Sequence, residues 1–371
     1  MRIGLAIYGD IDQRSGGYLY DRMLVQHLER RGHQVRVISL PKRSYLGCLF
    51  QNFSSSVYGE LRRSKLDILL QDELCHPSLF LLNARLRGQV KFPIISIVHM
   101  LRSNPSQRSL LRWLYSWVET RYLNSVNGFI FNSKHTKKLV DSKVANRKPY
   151  AVATPGGDRF GSSISAREIR VRAKRSGPLH VLLLGNLTRN KSAHVLISAL
   201  SKLELGSVYM TLAGRDDVEL IYTRTLRRQI LRAGIDGWVH FAGHLEGKLL
   251  EATLSTVQIL VMPSSYEGFG ISYLEGMRFG LPAIGARAGG SDEIIRHGKN
   301  GYLIRVGDAD ELAALLKRLN FNRYLLAQLS LNAQKTFHSF PTWKESMERI
   351  HTFLSRYNES SSLVNSPRRK K

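Results

Sequence analysis

Short apolar runs alternate with helical stretches from the first residues of this chain, and the alternation runs through twice. Residues 3–8 form an apolar run that stops at Gly9-Asp10. After Gly16-Gly17, residues 20–30 carry apolar side chains at helical spacing and end before Gly32. Apolar runs at 35–40, 67–70, 93–98 and 128–131 continue the series, with helix-like stretches between them. A polar, basic stretch at 162–178 interrupts the rhythm, which restarts at 179–184 and goes on through 193–203, 209–213, 239–241, 257–262 and 283–284. Strand–loop–helix units in this order predict doubly wound parallel sheets, and two sets of them predict two Rossmann-like α/β domains. The expected organisation is a first domain at 1–160, a basic linker at 161–178 and a second domain at 179–340. A helix at 341–357 and a polar tail at 358–371, expected to be disordered, complete it.

A length of 371 residues suits two compact cores better than one, and 43% hydrophobic content is that of a folded protein. Cys48 and Cys75 are too few for a disulfide framework or a zinc cluster, and are read as reduced thiols of a cytoplasmic protein. The apolar run at the N-terminus is shorter than a signal-peptide core, and nowhere do roughly 18 apolar residues follow one another. Charge is the unusual quantity, with 55 Lys+Arg against 29 Asp+Glu for a net of +26. Residues 1–178 carry +18 of that and the remainder +8. Such a field attracts nucleic acid, anionic lipid or polyphosphate-bearing ligands. Neither a zinc-finger spacing nor an aromatic single-strand signature is present, so nucleic acid is set aside.

In open parallel sheets, ligands gather beyond the carboxyl ends of the strands, where helix N-termini offer unpaired N–H groups and partial positive charge. Four glycine-bearing loops fall at such places. Ser15-Gly16-Gly17 lacks the third glycine of a dinucleotide fingerprint, and is either a phosphate-approaching loop or a plain one. Gly185-Asn-Leu-Thr-Arg-Asn-Lys191 puts Lys191 at the mouth of a helix, to meet a diphosphate or simply solvent. Tyr266-Glu-Gly-Phe-Gly270 leads into a helix with Glu267 in the turn and Glu275 within the helix. At about 1.5 Å rise per residue these carboxylates stand on the order of 10 Å apart, suited to gripping two sugar rings across a diphosphate rather than sharing a proton. Ala288-Gly-Gly-Ser-Asp-Glu293 can present N–H groups to phosphate, or serve as a helix-starting turn.

Outside these loops, His99 closes the apolar run 94–98 on the ligand side of the sheet. Asp72, Glu73 and His76 follow the run 67–70 and either line an acceptor pocket or form a solvated acidic loop. Asp308 followed by Glu311 is a helix cap rather than a metal site. Residues 108–122 interleave Arg108, Arg112 and Arg121 with Trp113, Tyr115 and Trp117. That pattern fits a helix on an anionic membrane surface, or a packed helix with a charged outer face.

These residues resemble the family 4 glycosyltransferases of the GT-B fold. The likeness runs from Tyr8-Gly9 and Gly16-Gly17 through Asn132-Ser133 and Pro155-Gly-Gly-Asp158. It is densest at Glu267, Glu275, Gly280-Leu-Pro282 and Gly289-Gly290 to Glu293. The resemblance implies two Rossmann-like domains facing across a cleft, the C-terminal helix returning to the first. It implies retaining transfer of a hexose from a nucleotide-diphosphate sugar to a glycan, lipid or other hydroxyl acceptor, with no cofactor and no metal. It gives Glu267 the donor-sugar hydroxyls and Glu275 the ribose. The diphosphate falls to Lys191 with Phe269 and Gly270, beside Gly268; Gly16 and Gly17 approach it from the first domain, and His99 lies near the reacting centre. The family commonly has arginine where this chain has Asn186, so either Arg189 replaces it or the phosphate is held by one cation fewer. A catalytically weak, ligand-binding relative is the alternative that Asn186 suggests. The expected location is the cytoplasm, with peripheral attachment to the inner face of the membrane.

Overall fold

The computed structural model describes residues 1–103, 111–161 and 164–365. The chain divides into two units, Met1–Pro155 with Trp343–Lys371, and Gly156–Thr342. Each is built on a six-stranded sheet in which every pairing is parallel. Parallel pairing forces each connection to cross over a face of the sheet, so both faces are covered by helices and the strands are apolar throughout.

In the first unit the strands are β1 (Arg2–Tyr8), β2 (Gln34–Leu40), β3 (Ile68–Asp72), β4 (Ile94–Val98), β5 (Gly128–Phe131) and β6 (Tyr150–Val152). Their order is β2-β1-β3-β4-β5-β6, so the direction of winding reverses between β1 and β3. Helix Trp343–Asn365 belongs to this unit, with Trp343 edge-on to Tyr20 at 5.9 Å and Glu348 bonded to His27 at 3.0 Å. It runs past the tail boundary expected at 358, and residues 366–371 of that tail lie outside the described residues. Cys48 and Cys75 are buried free thiols.

In the second unit the strands are β7 (Leu179–Leu184), β8 (Val208–Ala213), β9 (Val239–Gly243), β10 (Ile259–Met262), β11 (Ala283–Ala286) and β12 (Gly301–Ile304). The order β12-β11-β10-β7-β8-β9 places the reversal between β7 and β10. One face packs Val181, Leu183, Ile197, Leu226 and Leu316; the other packs Leu182, Leu260, Tyr273, Leu274 and Phe279.

Ten of the twelve strands among the described residues coincide with the apolar runs to within two residues. The other two, β6 and β12, are too short or too glycine-marked to register. A Cβ on Gly301 would sit 2.0 Å from the Ala283 carbonyl oxygen, so the strand must open on a residue that otherwise reads as a turn.

The expected linker is corrected. Residues 166–173 are a helix, Ala166–Ala173, inside the second unit, with Ile169, Arg172 and Ala173 buried. Ser165 and Glu168 form a reciprocal capping box, a sequence signal hidden by the surrounding arginines. Arg172 is not a solvated charge either. Its guanidinium donates to the carbonyls of Phe279 at 2.7 Å and Gly280 at 2.9 Å, and to that of Leu254 at 3.2 Å.

Below the carboxyl end of β3 lies a buried polar group of Glu73, His76 and Glu119. His76 Nδ1 is 3.0 Å from the Glu73 carbonyl oxygen, with hydrogen-bond geometry, and Nε2 is 3.2 Å from Tyr45 Oη. Burial pushes Glu73 well above the carboxylate range, helped by the nearby Glu119, and pushes His76 down to about 4.

Two outcomes are expected. Gly301→Ala should lower the unfolding free energy by roughly 2 kcal/mol or more, read by urea denaturation, because the clash is with backbone. His76 binds its proton less tightly folded than unfolded, so its contribution is complete above pH 6.5 and is lost as pH falls toward 4. Between those values it should remove about 3 kcal/mol. Urea midpoints across this range should fall less steeply in His76→Gln than in the wild type.

Candidate active site

The reversal of strand order in the second sheet opens a crevice between the loops that follow β7 and β10. Lys191 stands in the first loop and Glu267 in the second, 2.6 Å apart from Nζ to Oε1. Ser264 Oγ donates to the same carboxylate oxygen at 2.7 Å. Asn190 stitches the two loops together. Its side chain donates to the Tyr266 carbonyl at 2.9 Å and accepts from Ser265 Oγ at 2.9 Å, while its carbonyl takes the Ser265 N–H at 2.8 Å. Ser264 and Asn190 were not singled out in the sequence, where short polar residues in loops carry no distinguishing signal.

Backbone geometry holds this arrangement. Gly185 has φ +146° and lies under the Lys191 stem, whose Cε would be 3.1 Å from an added Cβ. Ser192, with φ +52°, is the one non-glycine residue in the left-handed region among the described residues, and it leads directly into helix Ala193–Leu200. Gly270, with φ +100°, turns the chain into helix Ile271–Arg278. The N–H groups of Phe269 and Gly270 engage no acceptor among the described residues, and they stand where the helix dipole favours an anion. Gly268 completes the turn.

Of the two readings of the pair Gly289-Gly290, the structure shows the turn that starts helix Ser291–Ile294. The Gly290 N–H donates to the Glu267 carbonyl at 2.8 Å, and a Cβ on Gly289 would meet that oxygen at 1.8 Å. These glycines let the 288–291 turn lie against the Glu267 loop and brace it.

Glu275 is buried and takes a hydrogen bond from Arg159 Nε, a partner that sequence spacing does not reveal. Asn186 accepts the Arg215 N–H at 3.3 Å, joining the loops after β7 and β8. Arg189 is turned toward the Tyr222 ring, 5.8 Å from its centroid, and its N–H donates to Glu219 at 3.1 Å. Its guanidinium is thus engaged with the Tyr222 ring.

In the first unit, Gly16 and Gly17 open helix Gly16–Arg30, and a Cβ on Gly17 would be 3.3 Å from the His99 ring. The loop after β1 and the end of β4 therefore meet at one point. His99 Nε2 is 3.0 Å from Oδ1 of the fully buried Asp21. Asp72 closes β3 beside them, with donor atoms of the three residues within 4.8 Å of one another. Burial disfavours the charged imidazole, but Asp21 and Asp72 outweigh it and raise the His99 pKa. Burial raises Asp72 to about 6. Asp21 was missed because one acid on an amphipathic helix reads as surface.

The acceptor reading of Asp72, Glu73 and His76 is corrected for the same reason. All three are buried, Glu73 and His76 completely, so they form interior polar clusters rather than an accessible lining. Glu73, His76 and Glu119 have the spacing of a cation site, but Glu119 already accepts from Arg102 N at 2.7 Å and from Ser103. Asp308 accepts the Glu311 N–H at 2.8 Å as a helix cap. Arg108 lies outside the described residues.

Residues 165–336 match the family described as Glycosyl transferases group 1. An uncharacterized glycosyltransferase of Methanocaldococcus jannaschii is 32% identical over 168 residues, 44% of this chain and 41% of that protein. The match spans about two fifths of the length of that protein and of glycogen synthase of Mycobacterium tuberculosis. Among solved structures, sucrose-phosphate synthase of Thermosynechococcus elongatus aligns with a TM-score of 0.81 at 18% identity, over 97% of this chain and 99% of its own. HepE of Anabaena in complex with UDP-glucose aligns at 0.77 and 20% identity, over 96% of this chain and 100% of its own. Residues 165–336, within the second unit, are thus similar to the group 1 glycosyl transferases, and the chain has the two-domain α/β fold of the solved GT-B structures it aligns with.

Proposed function

We propose that this protein is a retaining glycosyltransferase that moves a hexose from a nucleotide-diphosphate sugar to a hydroxyl of a glycan or lipid-linked acceptor. The observation that carries this reading is the Lys191–Glu267 pair beside the N–H groups of Phe269 and Gly270. A diphosphate entering there exchanges the Glu267 contact of Lys191 for its own oxygens, and takes hydrogen bonds from the two N–H groups. Glu267, released from the ammonium but still bonded to Ser264, then accepts from donor-sugar hydroxyls. Glu275, oriented by Arg159, is assigned to the ribose.

In the transfer itself, the acceptor oxygen bonds to the anomeric carbon as the bond from that carbon to the diphosphate breaks. The acceptor proton passes to a leaving phosphate oxygen, on the same face of the sugar, which retains the configuration. Charge develops on the leaving diphosphate, so Lys191 and the helix N-terminus stabilise the transition state more than the ground state. They supply the positive charge that a divalent metal would otherwise bring, and the reaction is proposed to need none. His99 is proposed to take part in the transfer, held by Asp21. The HepE chain was solved with UDP-glucose, which makes a uridine-diphosphate sugar the first donor to test. The basic excess of residues 1–178 supports peripheral attachment to the anionic inner face of a membrane.

Three measurements check this. A thermal-shift screen against UDP, GDP and ADP sugars should raise the melting temperature with one of them. Lys191→Met and Glu267→Gln should each lower kcat on the order of a hundredfold while leaving the fold intact. A Lys191→Met protein that keeps full turnover would refute the phosphate role, and donor binding with no transfer to any acceptor would favour the ligand-binding alternative. Gly289→Ala, which pushes on the Glu267 carbonyl, should weaken donor binding about tenfold or more, measured by calorimetry.

A further inference from the structure

Six of the exposed large apolar side chains of the first unit gather on neighbouring elements. Leu46 and Phe50 lie on helix Tyr45–Phe50, and Phe53 ends the 3-10 turn Gln51–Phe53. Leu81 lies on helix His76–Leu86, and Trp113 and Trp117 lie on helix Arg112–Ser125. Phe50 is 74% exposed, Phe53 68%, Trp113 70% and Trp117 49%.

Helix His76–Leu86 ties these segments together. Buried Asn52, between Phe50 and Phe53, donates to the Pro77 carbonyl at 2.7 Å and accepts from Leu81 N at 2.9 Å. On the other flank of the same helix, Phe80 meets Trp117 edge-on at 6.0 Å. Tyr45 and Tyr115, 4.4 Å apart, join the first segment to the third. The aromatic groups are therefore held on a rigid base, with their outer faces uncovered.

Charge on the same elements has one sign. Residues 42–58, 76–86 and 112–125 contain a single acid, Glu119, and it is fully buried. Arg43, Arg85, Arg112 and Arg121 are exposed there, with the Arg121 guanidinium 5.3 Å from the Trp117 ring centroid. Apolar side chains of this size left in water are unfavourable, and a contiguous set marks an interaction surface. A second copy docking the same face in a two-fold dimer would set arginine against arginine. Phosphate headgroups above a hydrocarbon layer complement both features at once, with aromatic rings at the interface and cations against the phosphates.

We infer that this face inserts into a bilayer containing anionic lipid: Phe50, Phe53, Trp113 and Trp117 enter the headgroup boundary while Arg43, Arg85, Arg112 and Arg121 bind lipid phosphate. The inference rests on the peripheral attachment proposed above and makes it specific, because apolar insertion, not charge alone, holds the protein on the membrane.

Flotation of the full chain with phosphatidylcholine vesicles, with and without phosphatidylglycerol, tests it. The wild type should float with the anionic vesicles, and its tryptophan emission should shift to shorter wavelength and be quenched by lipids brominated near the headgroup. Phe50→Ser with Phe53→Ser, both highly exposed, should weaken partitioning at least tenfold with no change in melting temperature or in the thermal shift given by the donor nucleotide. Binding that this pair and Trp113→Ser both leave unchanged would overturn the insertion while leaving electrostatic attachment standing. No vesicle binding by the wild type would overturn both, and a dimer in solution that the Phe50/Phe53 pair dissolves would assign the face to a second copy. None of these readouts needs a working transfer reaction, and vesicle binding, tryptophan emission and melting temperature fail or succeed independently of the donor site.

Discussion

The ion pair between Lys191 and Glu267 needs two loops that are 76 residues apart in sequence to be neighbours in space. Only the strand order makes them so. β7 and β10 pair directly because the winding of the sheet reverses there, and every other feature of the loop region follows from keeping that junction in register. Asn190 fastens the loops with four hydrogen bonds, and Ser264 holds the carboxylate from its own side. Glycines at 185, 214 and 289 stand where backbone approaches too closely for any Cβ or takes a left-handed turn. At Gly214, for instance, a Cβ would lie 2.0 Å from the Gly185 carbonyl oxygen. The pair is partly shielded from water, with the two side chains 22% and 11% exposed, so it is stronger than a surface contact yet open to exchange. A resting contact of that kind keeps both groups in place without committing either.

The first unit treats buried charge differently. Asp21, Asp72 and His99 converge beyond the ends of β1, β3 and β4, at the reversal point of the other sheet. Here the imidazole is held by a carboxylate on one nitrogen, and a glycine at position 17 gives the ring its space. Burial alone would strip the charge from His99, and the two acids restore it. A few residues away, burial dominates instead, leaving His76 neutral at physiological pH and Glu73 favouring its protonated form. The same local sequence, Asp72-Glu-Leu-Cys-His76, thus contributes to two polar clusters of opposite character, and neither faces solvent.

That contrast explains which parts of the molecule were legible in the sequence. Strands in a doubly wound sheet are apolar on both faces, so their runs survive in a one-dimensional reading, and so does a glycine-rich turn with acids on either side. What failed were features decided by tertiary pairing. Asp72, Glu73 and His76 look like a wet loop because nothing nearby in sequence announces Tyr45, Ser103 or Glu119 as their surroundings. Residues 161–178 look like a linker because of their arginines, although Arg172 is consumed by carbonyl groups from two distant segments. Phe50 and Phe53 escape notice for the reverse reason, since an apolar residue at helical spacing reads as core until its exposure is seen.

The position held by Asn186 bears directly on how the second unit could grip a phosphate. An arginine there would place a second cation near Lys191, as the resemblance to family 4 glycosyltransferases implies. Asn186 instead accepts an N–H from Arg215, so its amide acts as a brace between the loops after β7 and β8. The Arg189 guanidinium lies over the Tyr222 ring, and its backbone N–H donates to Glu219. In the proposed function Lys191 would then supply the cation at Glu267, and the remaining attraction for a diphosphate would come from backbone. In the proposed function the N–H groups of Phe269 and Gly270 would meet that need, because they are fixed in direction by the turn at Gly270 and need no reorganisation as charge develops. A grip built from one ammonium and a helix end is weaker for a free phosphate than one built from two cations. It is also more dependent on the exact placement of the turn. The bracing of that turn by Gly289 and Gly290 is, on this argument, part of the phosphate site even though neither glycine would touch the phosphate.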